Sequence, residues 1–211
     1  MTSTLAPNGF DDALRGLPCS LAHDDGSHTL LPVDRWRALP GAADEALLLR
    51  GCTGPTVDVG CGPGRLVAAL SVRGVMALGI DVSPLAVALT RSRGAMALHR
   101  DVHDRLPGEG RWRHVLLADG NIGIGGDPAR LLRRAGELLL RGGTVLAEVE
   151  PPGSGVRCGS ARLVHHDVAG PSFPWCRVSA DAATVVADAA DLRLLAVTQH
   201  SGRWAALLQR H

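Results

Sequence analysis

The segment Val57-Asp58-Val59-Gly60-Cys61-Gly62-Pro63-Gly64-Arg65-Leu66 constrains the fold more than any other part of the chain. A short apolar β-run, Thr56 to Gly60, leads into it. A helical pattern with Leu66, Val67 and Leu70 on one face leaves it. Three glycines at spacing two let the backbone turn sharply and press against a ligand, because no Cβ intervenes. Backbone amides and the helix N-terminus behind such a turn favour an anionic group. The dinucleotide pattern G-x-G-x-x-G is not met: the third glycine comes one residue early, and Arg65 holds the sixth position. Taken alone, the loop is also compatible with a purely structural turn.

The flanking sequence supplies the frame. Val75 to Ile80 is a second apolar run, Ala95 to Leu98 a third, His114 to Ala118 a fourth and Thr144 to Val149 a fifth. Ser83-Pro84 and Asp127-Pro128 each open a helix, with a capping side chain followed by proline at the first helical position. In the second of these helices Leu131, Leu132, Ala135, Leu138 and Leu139 form one stripe, and Gly142 stops it. Ser179 to Ala190 reads as a last helix. Leu192 to Thr198 and Arg203 to Leu208 face each other as a hairpin. Such alternation predicts an α/β, Rossmann-like, doubly wound fold. Its seven-stranded sheet is mostly parallel and carries an antiparallel C-terminal hairpin strand. Residues 1–50 are expected to form an N-terminal helical cap or substrate segment, and residues 51–211 the ligand-binding domain.

Lys plus Arg is 22 and Asp plus Glu 21, and every basic residue is arginine. Near-neutral charge without a basic stripe argues against a nucleic-acid or polyanionic partner. No apolar run is long enough to span a membrane, and residues 1–20 lack a signal-peptide pattern, so a cytoplasmic protein is expected. Cys19, Cys52, Cys61, Cys158 and Cys176 are odd in number and contain no C-x-x-C. They read as reduced thiols, neither a disulfide frame nor a zinc site. His165 and His166 are adjacent and would point to opposite faces of a strand, so no metal is expected.

Acidic residues mark three strand ends: Asp58 beside the glycine loop, Asp81 in Gly79-Ile80-Asp81-Val82, and Asp101 in Arg100-Asp101-Val102. In an open α/β sheet these ends border the ligand crevice. Together with Leu116-Leu117-Ala118-Asp119-Gly120-Asn121 and Leu140-Arg141-Gly142-Gly143, the pattern resembles class I S-adenosylmethionine-dependent methyltransferases over about residues 50–210. It is similar in particular to small bacterial members associated with secondary metabolism. The resemblance implies S-adenosylmethionine as cofactor and S-adenosylhomocysteine as product. It implies contacts from Asp58, Gly60, Cys61, Gly62, Gly64, Asp81, Val82, Asp101, Val102, Asp119 and Gly120.

The [DNS]-P-P-[FYW] motif of nucleic-acid amino methyltransferases is absent, which argues against a DNA or RNA amino group as acceptor; a small-molecule acceptor and a monomer or homodimer are expected. Trp36, Phe173 and Trp175 are candidates for an apolar acceptor wall. Asp119 and His28 are the candidate catalytic groups, with Glu148, Glu150, His103, His165 and His166 as further possible bases. A nicotinamide-dependent oxidoreductase and a non-catalytic cofactor binder are the competing readings.

Overall fold

The computed structural model describes residues 10–211. Its elements begin with α1 (Asp11–Leu14), β1 (Ser20–His23), β2 (His28–Leu30), α2 (Val33–Arg37) and α3 (Ala42–Asp44), which runs on as a π-helical turn over Glu45–Leu49. There follow β3 (Thr56–Val59), α4 (Arg65–Val72), β4 (Ala77–Asp81), α5 (Pro84–Ser92), β5 (Met96–His99) and β6 (Trp112–Leu117). The chain then forms α6 (Pro128–Leu138), β7 (Leu139–Val149), β8 (Val156–His165), β9 (Val168–Val178), α7 (Ala183–Asp188), β10 (Leu192–His200) and β11 (Arg203–Arg210).

The main sheet has the order β10-β11-β7-β6-β3-β4-β5. The block β7-β6-β3-β4-β5 is parallel, β11 is antiparallel to β7, and β10 is antiparallel to β11. Period-two alternation feeds two cores, as a parallel sheet covered on both faces requires. Val57, Val59, Val115, Leu117, Val145 and Ala147 face the core under α6 and α7. Leu116, Ala118 and Leu146 face the opposite core, built on α4 and Leu47–Leu49. The capping signals hold: Ser83 Oγ accepts from the Ala86 amide at 3.2 Å, and Asp127 Oδ1 from the Arg130 amide at 2.9 Å. The strand order reverses between β3 and β6, which places the crevice at the C-terminal ends of β3, β4 and β6.

Two expectations are corrected. The first 50 residues are not a helical cap alone. β1 and β2 form a hairpin that joins β8 and β9 in a second, wholly antiparallel sheet of order β2-β1-β8-β9. Leu21 pairs with Leu163, so the cap is stitched from two distant segments over its own small core. The cysteines are not all thiols either. Cys158 and Cys176 lie opposite each other in the β8–β9 register and form a disulfide, while Cys19, Cys52 and Cys61 are free and buried. That partnership depends on register, which linear spacing does not reveal.

Candidate functional site

The glycine loop sits between β3 and α4, and its three glycines serve different ends. Gly60, Gly62 and Gly64 all have positive φ. A Cβ on Gly60 would meet Asn121 Nδ2 at 2.7 Å, and one on Gly64 would meet Thr90 at 2.5 Å. Those two positions are small because neighbouring elements pack on them. Asn121 Nδ2 donates to the carbonyls of Val59 and Gly60 at 2.9 Å each, and Thr90 Oγ1 donates to the Gly62 carbonyl at 2.9 Å. Gly62 is different: the nearest atom to its Cβ would be Leu14 Cδ2 at 3.7 Å, across the cavity. Only there does the missing side chain leave room for something else.

Asp81 ends β4 with its carboxylate already aimed. Oδ2 accepts from the Gly62 amide at 2.9 Å and Oδ1 from the Ser83 amide at 2.8 Å. Burial pushes its pKa up, and the backbone amides oppose this. A carboxylate offers about four acceptor sites, so both oxygens keep capacity for further hydroxyl donors. Asp101 follows β5, accepts from the His103 amide at 2.9 Å, and lines the same cavity with Val82 and Val102. Asp58 lies beneath the loop, fully buried, and its Oδ1 has no hydrogen-bond partner. Burial pushes its pKa up to about 8 against the pull of Arg65, with Asp119 and Asp81 adding to the rise.

Beside the loop, three arginines and three carboxylates interlock. Arg65, the first residue of α4, contacts Asp44 Oδ1 at 2.9 Å and Asp119 Oδ2 at 2.8 Å. Arg203 from β11 grips Glu148 through Nε and Nη2 at 2.7 and 2.8 Å, and reaches Asp44 at 2.9 Å. Arg35 from the cap helix α2 meets Asp119 Oδ1 at 2.5 Å. Burial pushes Asp44 up, but Arg65 and Arg203 outweigh it and hold its pKa at about 2. The network is charge-balanced, and it ties the cap to the ends of β6 and β7. Sequence reasoning missed Arg35, Arg65, Arg203 and Asp44. Arg65 carried a signal: a cation opening a helix opposes the macrodipole and so calls for carboxylate partners.

A cavity of about 340 Å³ runs from the loop under the cap. Gly60, Cys61, Gly62, Asp81, Val82, Asp101, Val102 and Asp119 line it, as do Trp36, Phe173 and Trp175. Gly64 and Gly120 shape the backbone without lining it. Phe10 joins the aromatic wall, 5.8 Å from Phe173, which lies 6.0 Å from Trp175 (ring centroids). β9 is pressed onto the loop after β6: Ile124 bridges Trp175, and a Cβ on Gly123 would come within 1.9 Å of the Cys176 carbonyl.

His28 lies on the exposed strand β2 and does not line the cavity, so it is corrected as a candidate base. Asp119 does line it, but its carboxylate is taken by Arg35 and Arg65. Glu148 is locked to Arg203, and His165 Nδ1 donates to the Pro18 carbonyl at 2.8 Å. No described helix is long and apolar enough to cross a membrane.

No protein-family model and no curated protein sequence matches the chain. Solved structures do. An S-adenosylmethionine-dependent methyltransferase from Bacteroides fragilis, in complex with S-adenosylhomocysteine, has a TM-score of 0.75 at 21% identity, covering 95% of this chain and 91% of that one. The 1,6-didemethyltoxoflavin-N1-methyltransferase of Burkholderia thailandensis gives 0.60 at 17% identity, over 80% and 77%. An S-adenosylmethionine-bound amino pentose methyltransferase from Micromonospora echinaspora gives 0.60 at 18% identity, over 84% and 94%. The chain has the fold of the class I S-adenosylmethionine-dependent methyltransferases.

Proposed function

We propose that this protein is an enzyme, an S-adenosylmethionine-dependent methyltransferase acting on a small, largely apolar acceptor. One observation carries the reading: a single cavity joins the glycine loop and the acidic strand ends to an aromatic chamber under the cap. Gly62, Asp81, Val82, Asp101 and Val102 would hold the cofactor, which supplies an electrophilic methyl group on a sulfonium. The residues fit that group. Gly62 leaves space where a side chain would stand, Asp81 keeps acceptor capacity for ribose hydroxyls, and the orphaned Asp58 oxygen lies beneath the loop. The chain's own work is orientation and exclusion of water. Asp119, held by two guanidinium groups, positions the end of β6. The didemethyltoxoflavin and amino pentose methyltransferases named above act on small molecules, and the near-neutral charge here gives no footing to a polyanion.

Calorimetry tests this directly. S-adenosylhomocysteine is expected to bind with a micromolar Kd, roughly −8 kcal/mol, and NADH to give no heat. Asp81→Ala should weaken binding at least tenfold, since losing a charged acceptor costs about 1.5–3 kcal/mol. Folded protein that gives no heat with cofactor or product would sink the proposal. Gly62→Val should abolish binding outright, because its side chain would project into the cavity. The strained left-handed backbone costs about 1–3 kcal/mol there, so the domain should still melt cooperatively. A Gly62→Val protein that binds like the parent would reduce the loop to a turn.

A further inference from the structure

We infer that the methyl acceptor is a neutral amine, received unprotonated in the aromatic chamber and released as a methylated ammonium. This deepens the methyltransferase reading and rests on it. The protein has six aromatic residues, four Trp and two Phe, and Phe10, Trp36, Phe173 and Trp175 line this one cavity. No histidine, tyrosine, lysine or glutamate is among its described lining residues.

Its four aspartates are engaged. Asp119 is ion-paired to Arg35 and Arg65, and Asp81 accepts the Gly62 and Ser83 amides. Asp11 accepts from Ser83 Oγ at 3.0 Å, and Asp101 accepts the His103 amide. Among the described lining residues, an alcohol acceptor would find no uncommitted base to take its proton. A carboxylate acceptor would enter an apolar chamber in which Arg65 is locked to Asp44 and Asp119 and Arg35 is paired to Asp119, while the other lining guanidinium, Arg100, is exposed to solvent and donates to the His99 carbonyl. Burying such a charge unpaired is costly.

An amine needs neither base nor counter-charge. With the sulfonium of the bound cofactor beside it, a second positive charge is disfavoured, so the acceptor reacts as the neutral amine with its lone pair free. As the N–C bond forms, the donor's S–C bond breaks and its electron pair stays on sulfur. The sulfonium becomes a thioether, and the positive charge moves to nitrogen. The amine proton leaves with the product ammonium and is lost to solvent. Indole and phenyl faces attract a cation, so once the sulfonium charge is gone the ring cluster favours the charge where it arrives.

The test uses protein saturated with S-adenosylhomocysteine, titrated with benzyltrimethylammonium, its uncharged isostere neopentylbenzene, and benzoate. The ammonium is expected to bind at least tenfold more tightly than either, and Trp175→Leu and Trp36→Leu should each reduce that preference severalfold. An ammonium that does not bind, or binds no better than the isostere or benzoate, overturns the amine assignment while leaving the cofactor reading intact. Absence of S-adenosylhomocysteine heat in the first step overturns the methyltransferase reading instead.

Discussion

Arg65→Met is expected to destabilise the protein by about 3–5 kcal/mol, the usual cost of stripping one partner from a buried ion pair. For a domain of this size each kcal/mol moves Tm by roughly 2–4 °C, so a fall of the order of 10 °C should appear in thermal melts at pH 7. Asp44 is only 1% exposed and Asp119 10%, so neither can turn to water when the guanidinium goes. The effect should depend on pH with a definite sign. Asp44 is held at about 2 in the fold, below the unfolded value near 3.9. Its contribution is present above the unfolded value and is lost as pH falls through the folded one. The gap between Arg65→Met and the parent should therefore narrow from pH 5 towards pH 2. A loss under about 1 kcal/mol at pH 7 would mean that Arg203 and Arg35 alone satisfy the carboxylates.

The second large effect has the opposite sign. Asp58 titrates at about 8 in the fold, raised chiefly by burial. Unfolded, it ionises near 3.9. Between those values the folded state holds a proton that the unfolded chain has lost, so stability falls as pH rises from about 4 to 8. Asp58→Asn removes the titration while keeping the shape. The variant should match the parent near pH 4 and exceed it at pH 8 by an amount of order a few kcal/mol, at 1.36 kcal/mol per pKa unit. Urea melts at the two pH values decide it: parallel profiles for parent and variant would mean that Asp58 is ionised throughout.

What the sequence disclosed follows from which forces are local. Strand ends, proline-opened helices and the glycine loop are written in consecutive residues, and Asp81 and Asp101 stand where the strand ends put them. The second sheet was hidden because its signals are weak. β2 spans three exposed residues, and β9 carries Pro171 and Pro174, which only an edge strand tolerates. The ion-pair network was hidden for another reason. Arg35, Asp44, Arg65, Asp119, Glu148 and Arg203 come from six separate elements and loops, and an arginine that ends up buried looks like a solvated one until its partners are in place. Trp36, Phe173 and Trp175 were singled out because the core sheet had no use for the segments that hold them. Phe10 went unnoticed, since a lone ring in a polar stretch has no periodicity to betray it.

The two-segment cap sets an order of events during synthesis. Leu21 emerges early, but its sheet partner Leu163 follows only after β3 to β7 have been made. At roughly 5–20 residues per second, the N-terminal hairpin waits on the order of ten seconds for its neighbour. All that while it exposes an edge that other chains can pair with. The chamber under the cap can thus close only once β9 has been made, and a chain stalled before β8 has its glycine loop but lacks the wall that carries Phe173 and Trp175.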